Sequence, residues 1–428
     1  MPSAREIAYG ITRRVNGEGA YLSLLLRYGM DPASVDARER ALVTELAYGV
    51  QRHRGRMDFI IAAFSRRDLE DLDPAVLDML RLGIYQLTET RVPQHAAVNE
   101  TVSLTRRLLG RGAASYVNAV MRNACRGMEG LPWPSRDDLP AFLETRYSHP
   151  RWLVEYMLRL LGPQQAEALC DADNAIPPLS LRVNTPRGSA DELLEEIVDR
   201  GGSAGLSACL GEALSDVKIP YGELLALLEA GRCVVQDESS MLVAYALDPH
   251  PGQLLIDACA APGGKATHLA VLGGERCRVI AVDASESRLA ALRNSVARLG
   301  LSNMDVRLGD SRRLAETVAE EADGVLVDAP CSGLGTLRRN PELKWRRGPG
   351  DLEELARLQS DLLRGAAARV RRGGSLVYSA CTFTTQETTD VSGRFLGECG
   401  EFRLAGQLQL WPHLHHVDGM FIARFDRT

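Results

Sequence analysis

The chain has 428 residues, of which 45% are hydrophobic and 25% are charged, and its formal net charge is −6. This composition is typical of globular proteins, and the length predicts two or three domains whose cores need neither disulfides nor a structural metal. The net negative charge argues against a protein that coats nucleic acid nonspecifically, but it allows a local basic patch.

The sequence lacks the features of membrane, exported and zinc-binding proteins. No stretch approaches the roughly 18 consecutive apolar residues of a membrane span, and Arg5 and Glu6 stand where a signal peptide would need apolar residues. The nine cysteines are scattered and include no C-x-x-C pair, which argues against a disulfide framework or a zinc ribbon. We therefore expect a cytoplasmic monomer without a bound metal or a membrane partner.

Residues 1–135 are predicted to form an all-helical domain, because apolar residues recur there at spacings of three and four. Two helices are expected between Pro93 and the break at LPWPS. Arginine clusters at 52–56 and 106–111 can either complement helix dipoles or contact phosphates, and the sequence leaves both interpretations open. Residues 141–235 mix helix and strand patterns, which indicates a small α+β module that links two larger units.

From residue 236 to 428, short apolar strands alternate with helices, which predicts an α/β domain with a parallel sheet. The predicted strands are LLIDA (254–258), RVIAVD (278–283), MDVRLGD (304–310), GVLVDA (324–329) and SLVYSA (375–380), followed by an antiparallel edge pair, QLQLW and MFIARF. Ligands bind beyond the carboxyl ends of the strands in such sheets. We therefore expect Asp257, Asp283, Asp310 and Asp328 to converge on one crevice.

The segment ACAAPGGK, residues 258–265, lies between a predicted strand and a predicted helix, where glycines let the backbone approach a ligand. It matches neither the dinucleotide fingerprint G-x-G-x-x-G nor the P-loop, which argues against NAD and ATP. Asp283 could accept hydrogen bonds from both hydroxyls of a ribose, and Asp310 is suited to an adenine amino group. The pattern favours an adenosine-type cofactor without a pyrophosphate, such as S-adenosylmethionine.

Two cysteines, Cys331 and Cys381, follow the ends of neighbouring predicted strands. A thiolate there could attack C6 of a pyrimidine and make C5 a nucleophile that takes a methyl group, while Asp328 hydrogen-bonds N3 and the exocyclic amine of cytosine. The run Asp328-Ala329-Pro330-Cys331 differs from the Asp/Asn-Pro-Pro-aromatic run expected for methylation of an exocyclic amine. Carbon methylation is therefore favoured, but the residues alone do not decide which thiol attacks.

A basic run that contains one aromatic residue follows the Cys331 loop directly. We expect this run to contact RNA phosphates and to stack on a base, rather than to form a solvated face. A pyrimidine must leave its stack to reach a thiolate, which favours an unpaired substrate. The expected RNA-binding residues are Arg338, Arg339, Lys344, Trp345, Arg346 and Arg347.

The catalytic half resembles the RsmB (Sun/Fmu) family of bacterial ribosomal RNA cytosine-C5 methyltransferases. The resemblance rests on ACAAPGGK, AVDASESRL, GDSRRL, DAPCSGLGTLRRNPELKW and YSACT, and on RYSHPRWLVEYM, PLSLRVNT and VVQDESSMLVA in the preceding region. The helical part is similar to the antitermination factor NusB through RERALVTELAYGVQR, LRLGIYQL, PQHAAVNETV and YVNAVMRNA. The resemblance implies three domains: NusB-like (1–135), the α+β module (141–235) and a Rossmann-like class I methyltransferase domain (236–428).

The resemblance also implies roles for single residues. It selects Cys381 as the nucleophile and Cys331 as the residue that assists release of the product. Ala380 departs from the family, which usually has Thr before this cysteine, so one hydroxyl beside the nucleophile is missing. The residues implied to hold S-adenosylmethionine are Cys259, Ala260, Ala261, Pro262, Gly263, Gly264, Lys265, Asp283, Arg288, Asp310 and Asp328.

These observations lead us to expect an enzyme that makes 5-methylcytosine in 16S ribosomal RNA, either free or in a partly assembled small subunit. Two alternatives are a noncatalytic RNA-binding or ribosome assembly factor with a methyltransferase fold, and the same chemistry on transfer RNA. The thiols, Asp328 and the glycine-containing segment 258–265, which we call the glycine turn, are all intact. They argue against the noncatalytic alternative. The sequence leaves open which nucleotide is methylated and whether the helical domain binds RNA or protein.

Overall fold

The computed structural model describes residues 2–28 and 36–428. The chain divides into two compact units, one formed by Met1–Ala175 with Leu337–Arg347 and the other by Ile176–Thr336 with Gly348–Thr428. Within the described ranges, no helix is both long enough and apolar enough to cross a membrane.

The first unit is helical, as the spacing of its apolar residues predicts. Ser3, Asp36, Asp73 and Asp138 each precede a helix and accept a hydrogen bond from a backbone N–H that has no partner inside the helix. Gly110, with φ 90°, interrupts the longest helix, which agrees with the two helices expected after Pro93. The helices are α1 (Ala4–Glu18), α2 (Leu22–Tyr28), α3 (Ala37–Arg52), α4 (Arg54–Phe64), α5 (Pro74–Thr88), α6 (Gln94–Gly127), α7 (Leu139–Tyr147) and α8 (Arg151–Asn174).

Helix α8 packs in the helical unit, although the sequence pattern assigns it to the α+β module. Its side chains Leu153, Val154 and Met157 are fully buried. Asn174, its last residue, donates to the backbone oxygen of Tyr147 in α7 at 2.6 Å. The compact helical unit therefore extends to Ala175 and also takes in Leu337–Arg347.

A small four-stranded sheet begins the second unit. Its strands lie in the order β2-β3-β1-β4, and each neighbouring pair is antiparallel. Ser189 and Glu192 form a capping box at the start of the first helix, because each side chain accepts from the backbone N–H of the other residue. The elements are β1 (Leu181–Val183), α9 (Ala190–Asp199), β2 (Ser203–Leu206), β3 (Ala213–Lys218), α10 (Tyr221–Glu229) and β4 (Cys233–Val235).

A seven-stranded sheet forms the rest of the second unit and confirms the predicted α/β architecture. Its strands are β5 (Leu254–Asp257), β6 (Arg278–Asp283), β7 (Met304–Leu308), β8 (Ala322–Asp328), β9 (Val370–Ala380), β10 (Phe402–Leu410) and β11 (Met420–Arg427). Their order is β10-β11-β9-β8-β5-β6-β7, in which β9 to β7 are parallel and β11 is antiparallel to both β9 and β10. The antiparallel pair therefore lies at the sheet edge, as predicted.

Helices cover this sheet, and its central strands β5, β6 and β8 are buried on both faces. Val325 and Val327 of β8 belong to one buried cluster, whereas Leu326 between them belongs to another, because successive side chains of a strand point to opposite faces. The chain reverses its strand order on either side of β5, and ligands bind beyond the carboxyl end of such a switch point. The helices from here to the end of the chain are α11 (Glu238–Leu247), α12 (Gly264–Gly273), α13 (Glu286–Leu299), α14 (Leu314–Thr317), α15 (Leu343–Arg346), α16 (Pro349–Ala367), α17 (Thr389–Glu398) and α18 (Pro412–His415).

Candidate active site

The glycine turn leads from β5 into α12, beyond the carboxyl end of the sheet. Gly263 has φ 114°, and a side chain there would collide with Leu292, so this position requires glycine. Arg182 of β1 is buried and donates to the backbone oxygen of Gly264 at 2.6 Å and to Oγ1 of Thr267 at 2.8 Å. Burial lowers the pKa of Arg182 to about 9. The small sheet thus supplies a cation that fixes the first turn of α12.

Asp283, at the end of β6, holds the same turn. One carboxylate oxygen accepts from the backbone N–H of Ala261 at 3.1 Å, and the other accepts from that of Ser285 at 3.0 Å. Arg288 lies 3.5 Å from Asp283 and also donates to the backbone oxygen of Ala261. A carboxylate oxygen has a second lone pair. Asp283 can therefore accept from a ligand while it supports the turn.

Asp310 lies two residues beyond the end of β7. Arg312 donates to it through the backbone at 3.0 Å and through the guanidinium at 2.6 Å, and these contacts lower the pKa of the carboxyl. The hydroxyl of Ser311 donates to the backbone oxygen of Ala258 in the glycine turn. The loop that carries Asp310 is thereby joined to the turn.

Asp257, at the end of β5, is almost fully buried. Its Oδ1 accepts from the backbone N–H of Cys259 at 3.2 Å, whereas its Oδ2 has no hydrogen-bond partner within the described part of the chain. Burial, together with the negative charge of Asp328, raises the pKa of Asp257 to about 7, and the charge of Asp283 adds to the effect. Three of the four predicted carboxylates therefore interact electrostatically.

Asp328 ends β8 and is anchored on both oxygens. Lys265 donates from Nζ to Oδ2 at 2.8 Å, and Ser379 donates from Oγ to Oδ1 at 2.8 Å. Burial acts to lower the pKa of Lys265, but the carboxylate of Asp328 outweighs it and the pKa is raised above its usual value. The Lys265 ammonium also interacts electrostatically with Cys381. One lysine thus connects the glycine turn with both Asp328 and a candidate nucleophile.

The two cysteines lie side by side, since their loops follow the neighbouring parallel strands β8 and β9. The Sγ atoms of Cys331 and Cys381 are 3.2 Å apart, which is hydrogen-bond distance for sulfur. This hydrogen bond and burial raise the pKa of Cys331 well above its usual value. Ala380, where the family resemblance expects Thr, is fully buried. The sequence predicted that both thiols follow the ends of neighbouring strands, and the structure shows that the two sulfur atoms are in contact.

Two further buried residues hold the cysteine loops and were missed in the sequence. Gln359 of α16 and Glu387, six residues after Cys381, are both fully buried and hydrogen-bonded to each other at 3.1 Å. Neither belongs to a motif with a recognised spacing, and Gln359 is distant in sequence from both cysteines. A glutamate buried between two loops could have been suspected only from the small hydroxyl residues Thr382 and Thr384 that precede it.

Several side chains of the basic run after Cys331 are bonded inside the helical unit. Lys344 is buried, and its Nζ donates to the backbone oxygen of Arg52 at 2.9 Å and to Asn174 at 3.1 Å. Trp345 donates to the backbone oxygen of Gln51 at 2.8 Å, and Arg346 donates to that of Val15 at 3.0 Å. These polar groups bond to the helical unit itself, and the contact of Lys344, Trp345 and Arg346 with RNA stays a prediction.

The three remaining members of the run have interactions inside the protein as well. Arg338 is buried and its backbone oxygen accepts from Arg52 at 3.0 Å, while Arg339 and Arg347 are partly buried and have interaction partners. The sequence alone does not show which of these cations bond to carbonyl oxygens of their own chain. The segment Leu337–Arg347 is therefore a structural part of the helical unit.

Comparison with protein families agrees with this architecture. The model of the 16S rRNA methyltransferase RsmB/F family matches residues 244–426, the NusB family matches residues 2–126, and the RsmF/B-like ferredoxin-like domain matches residues 149–215. The NusB match covers helices α1 to α6, and the methyltransferase match covers all seven strands of the large sheet.

Individual relatives extend the similarity over the whole chain. The chain is 34% identical over 443 residues to a probable ribosomal RNA small subunit methyltransferase B of Bacillus subtilis, with 98% of each chain covered. It is 37% identical to the ribosomal RNA small subunit methyltransferase B of Pseudomonas syringae pv. tomato, over 87% of this chain and 83% of the relative. Its fold is similar to the crystal structure of PH0851, with a TM-score of 0.85, 27% identity and 99% of both chains covered. The resemblance seen in the sequence is confirmed, and the chain belongs to the RsmB/F family of 16S ribosomal RNA methyltransferases.

Proposed function

We propose that this methyltransferase uses S-adenosylmethionine to methylate C5 of a cytosine in 16S ribosomal RNA, through a covalent adduct with Cys381. The observation that supports this most directly is the 3.2 Å separation of two thiols next to the ion pair of Lys265 and Asp328. Methylation of an exocyclic amine would need no thiol, since the amine itself attacks the methyl group. Carbon C5 of cytosine becomes nucleophilic only when a group such as a thiolate adds to C6.

The residues around the glycine turn fit S-adenosylmethionine. Asp257 offers a buried oxygen that has no hydrogen-bond partner among the described residues, and this oxygen suits the amino group of the methionine part. Asp283 and Asp310 offer carboxylate oxygens for the ribose hydroxyls and the adenine amine. When bound, S-adenosylmethionine supplies an electrophilic methyl group. Ala260, Ala261 and the glycines 263 and 264 allow close approach of the backbone.

In the proposed reaction Cys381 adds to C6 of the cytosine, and the proton that the thiol loses is gained at N3. The Lys265 ammonium stabilises the attacking thiolate, while Asp328 accepts hydrogen bonds from N3–H and the exocyclic amine. Carbon C5 then takes the methyl group, which leaves S-adenosylhomocysteine, and C5 afterwards loses its proton to a base. The C6–S bond breaks in that step, its electron pair returns to Cys381, and the proton held at N3 passes back to the sulfur.

Cys331 is proposed to assist this release. The raised pKa keeps its thiol protonated, and its Sγ lies 3.2 Å from Cys381. The S–H group can therefore donate a hydrogen bond to the thiolate that leaves C6, which lowers the cost of the departing negative charge. This division of roles follows the family resemblance, since the geometry alone is nearly symmetric between the two sulfurs.

The proposal is tested by incubating the protein with S-adenosylmethionine and unmodified 16S ribosomal RNA, followed by nucleoside analysis by mass spectrometry. New 5-methylcytidine is expected with the wild-type protein and not with Cys381→Ala. Parallel reactions with partly assembled small subunits and with transfer RNA identify the preferred substrate. The noncatalytic alternative gains support if S-adenosylmethionine binds but none of these RNAs gains a methyl group.

A further inference from the structure

A buried carboxylate, Glu387, is one of the groups that join the loops of Cys331 and Cys381, beside a hydrogen bond between the hydroxyls of Ser332 and Thr382 at 2.9 Å. Glu387 is fully buried, and its Oε1 accepts from the backbone N–H of Ser332 at 2.7 Å and from Nε2 of Gln359 at 3.1 Å. Its Oε2 accepts from the hydroxyl of Thr384 at 2.7 Å and from that of Thr382 at 3.4 Å. Four donors thus converge on one side chain.

Three of the four donors closely follow the reacting cysteines in the chain, and the fourth, Gln359, lies in α16. Ser332 directly follows Cys331, and Thr382 directly follows Cys381. Gln359 also donates to the backbone oxygen of Pro330 at 3.0 Å, so the residues before and after Cys331 are both held through Gln359 and Glu387. Bonds through Glu387 therefore help to hold the two sulfurs together, in addition to the direct bond from the Gly335 N–H to the backbone oxygen of Cys381 at 3.0 Å.

The hydrogen-bond partners of Glu387 indicate that this residue positions the two cysteine loops. Its partners in the described structure are a backbone N–H, an amide and two hydroxyls, and a buried carboxylate is retained only where hydrogen bonds replace its lost hydration. Hydrogen bonds to a charged acceptor are shorter and stronger than those to a neutral one. Such bonds resist separation of the two loops better than hydroxyl or amide contacts alone.

We propose that Glu387 is a positioning residue that holds Cys331 and Cys381 within hydrogen-bond distance of each other, as release of the RNA adduct requires. The positioning itself can be tested without RNA, whereas its consequence for turnover rests on the proposed function. In the absence of Glu387 the Ser332 N–H and the Thr384 hydroxyl lose their acceptor. The two loops then separate, and Cys331 no longer reaches the sulfur that leaves C6.

The closeness of two thiols is measured by how fast they join as a disulfide. Diamide takes two electrons and two protons from the pair, so that an S–S bond forms and the diazene is reduced to a hydrazine. Trypsin releases Cys331 in peptide 314–338 and Cys381 in peptide 373–394, each with one cysteine, and the linked pair is counted by mass spectrometry. In Glu387→Ala we expect this rate to fall at least tenfold.

A conservative variant and a buried control separate positioning from general loosening. In Glu387→Gln the amide oxygen can still accept from Ser332 and Gln359, while the amide N–H donates to the Thr384 hydroxyl, so the rate should stay within threefold of wild type. Ser392→Ala changes a buried side chain of α17 that has no hydrogen-bond partner in the described structure, and its rate should equal wild type. If Glu387→Ala fails to fold, Thr384→Val and Thr384→Ser provide a second pair, in which only Val slows the reaction.

The effect of Glu387 on turnover is measured with the same variants, 16S ribosomal RNA and S-adenosylmethionine. Glu387→Ala should form less 5-methylcytidine and accumulate more adduct that resists denaturant, and Glu387→Gln should restore release. Unchanged disulfide formation in a folded Glu387→Ala protein, or an equal loss in Glu387→Gln, would overturn the positioning role. If the disulfide rates follow the expected pattern but wild type makes no 5-methylcytidine, the positioning role stands and the proposed methylation fails.

Discussion

Replacement of Lys344 by Met is expected to stabilise the folded protein at low pH and to destabilise it at high pH. The lysine is 1% exposed, and burial lowers its pKa from 10.5 to about 7. Between these values the unfolded chain binds a proton that the folded chain does not, so stability rises with pH across this window. The free-energy cost of burying the charged Lys344 side chain is therefore complete below pH 7 and absent above the pKa of lysine in the unfolded chain.

The structure sets the size of the effect. The lowered pKa corresponds to at most about 5 kcal/mol of lost stability below pH 7, because each unit is worth about 1.4 kcal/mol. Met removes this penalty but leaves the oxygens of Arg52 and Asn174 without their donor, at a cost of about 1 kcal/mol each. Lys344→Met should therefore be more stable than wild type by about 3 kcal/mol near pH 6 and less stable by about 2 kcal/mol near pH 10.5.

Urea unfolding followed by tryptophan fluorescence measures this difference. Trp133, Trp152 and Trp345 lie in the helical unit, so the signal reports mainly on the part of the protein that contains Lys344. Lys218→Met, at an exposed lysine of β3, is the matched control and should show no change of sign. A difference between Lys344→Met and wild type that stays constant from near pH 6 to near pH 10 would show that burial does not lower the pKa of Lys344.

Three other predictions concern the candidate active site. Cys331→Ala should still form the RNA adduct but release it slowly, so that a shifted band resistant to denaturant accumulates; normal turnover without an adduct would contradict the release role. Arg182→Leu removes the cation that holds Gly264 and Thr267, and calorimetric titration should show at least roughly tenfold weaker binding of S-adenosylmethionine, since bonds from a charged donor are worth about 1.5–3 kcal/mol. Oxidation with diamide should stop methylation until dithiothreitol is added, because linking the two thiols removes the nucleophile. Full activity of the linked form would show that neither sulfur is needed.

The sequence was sufficient for the parts of the site that follow directly from strand order. Asp257, Asp283 and Asp328 end strands β5, β6 and β8, and parallel strands bring their carboxyl ends to one edge of a sheet. Cys331 and Cys381 follow from the same rule, since β8 and β9 are neighbours. Apolar periodicity likewise predicted the helices of the first unit.

Tertiary contacts decided what the sequence could not show. The basic run contains the cations expected of an RNA-binding surface, but the side chains of Lys344 and Trp345 bond to oxygens of residues that lie at least 170 positions earlier in the chain. Arg182 and Glu387 act through partners that no local spacing marks. A pattern of charges indicates which chemistry is available, whereas burial determines whether that chemistry faces a ligand or the protein itself.

The covalent mechanism is tested most directly by trapping the RNA adduct and identifying the cysteine that carries it. A 16S RNA fragment transcribed with 5-fluorocytidine is incubated with the protein and S-adenosylmethionine; fluorine at C5 cannot leave as a cation, so the adduct cannot be released. After digestion by ribonuclease and trypsin, mass spectrometry should find the nucleotide on peptide 373–394, which carries Cys381. A nucleotide on peptide 314–338 would assign the attack to Cys331, and methylation of ordinary RNA without any trapped adduct would contradict the covalent mechanism.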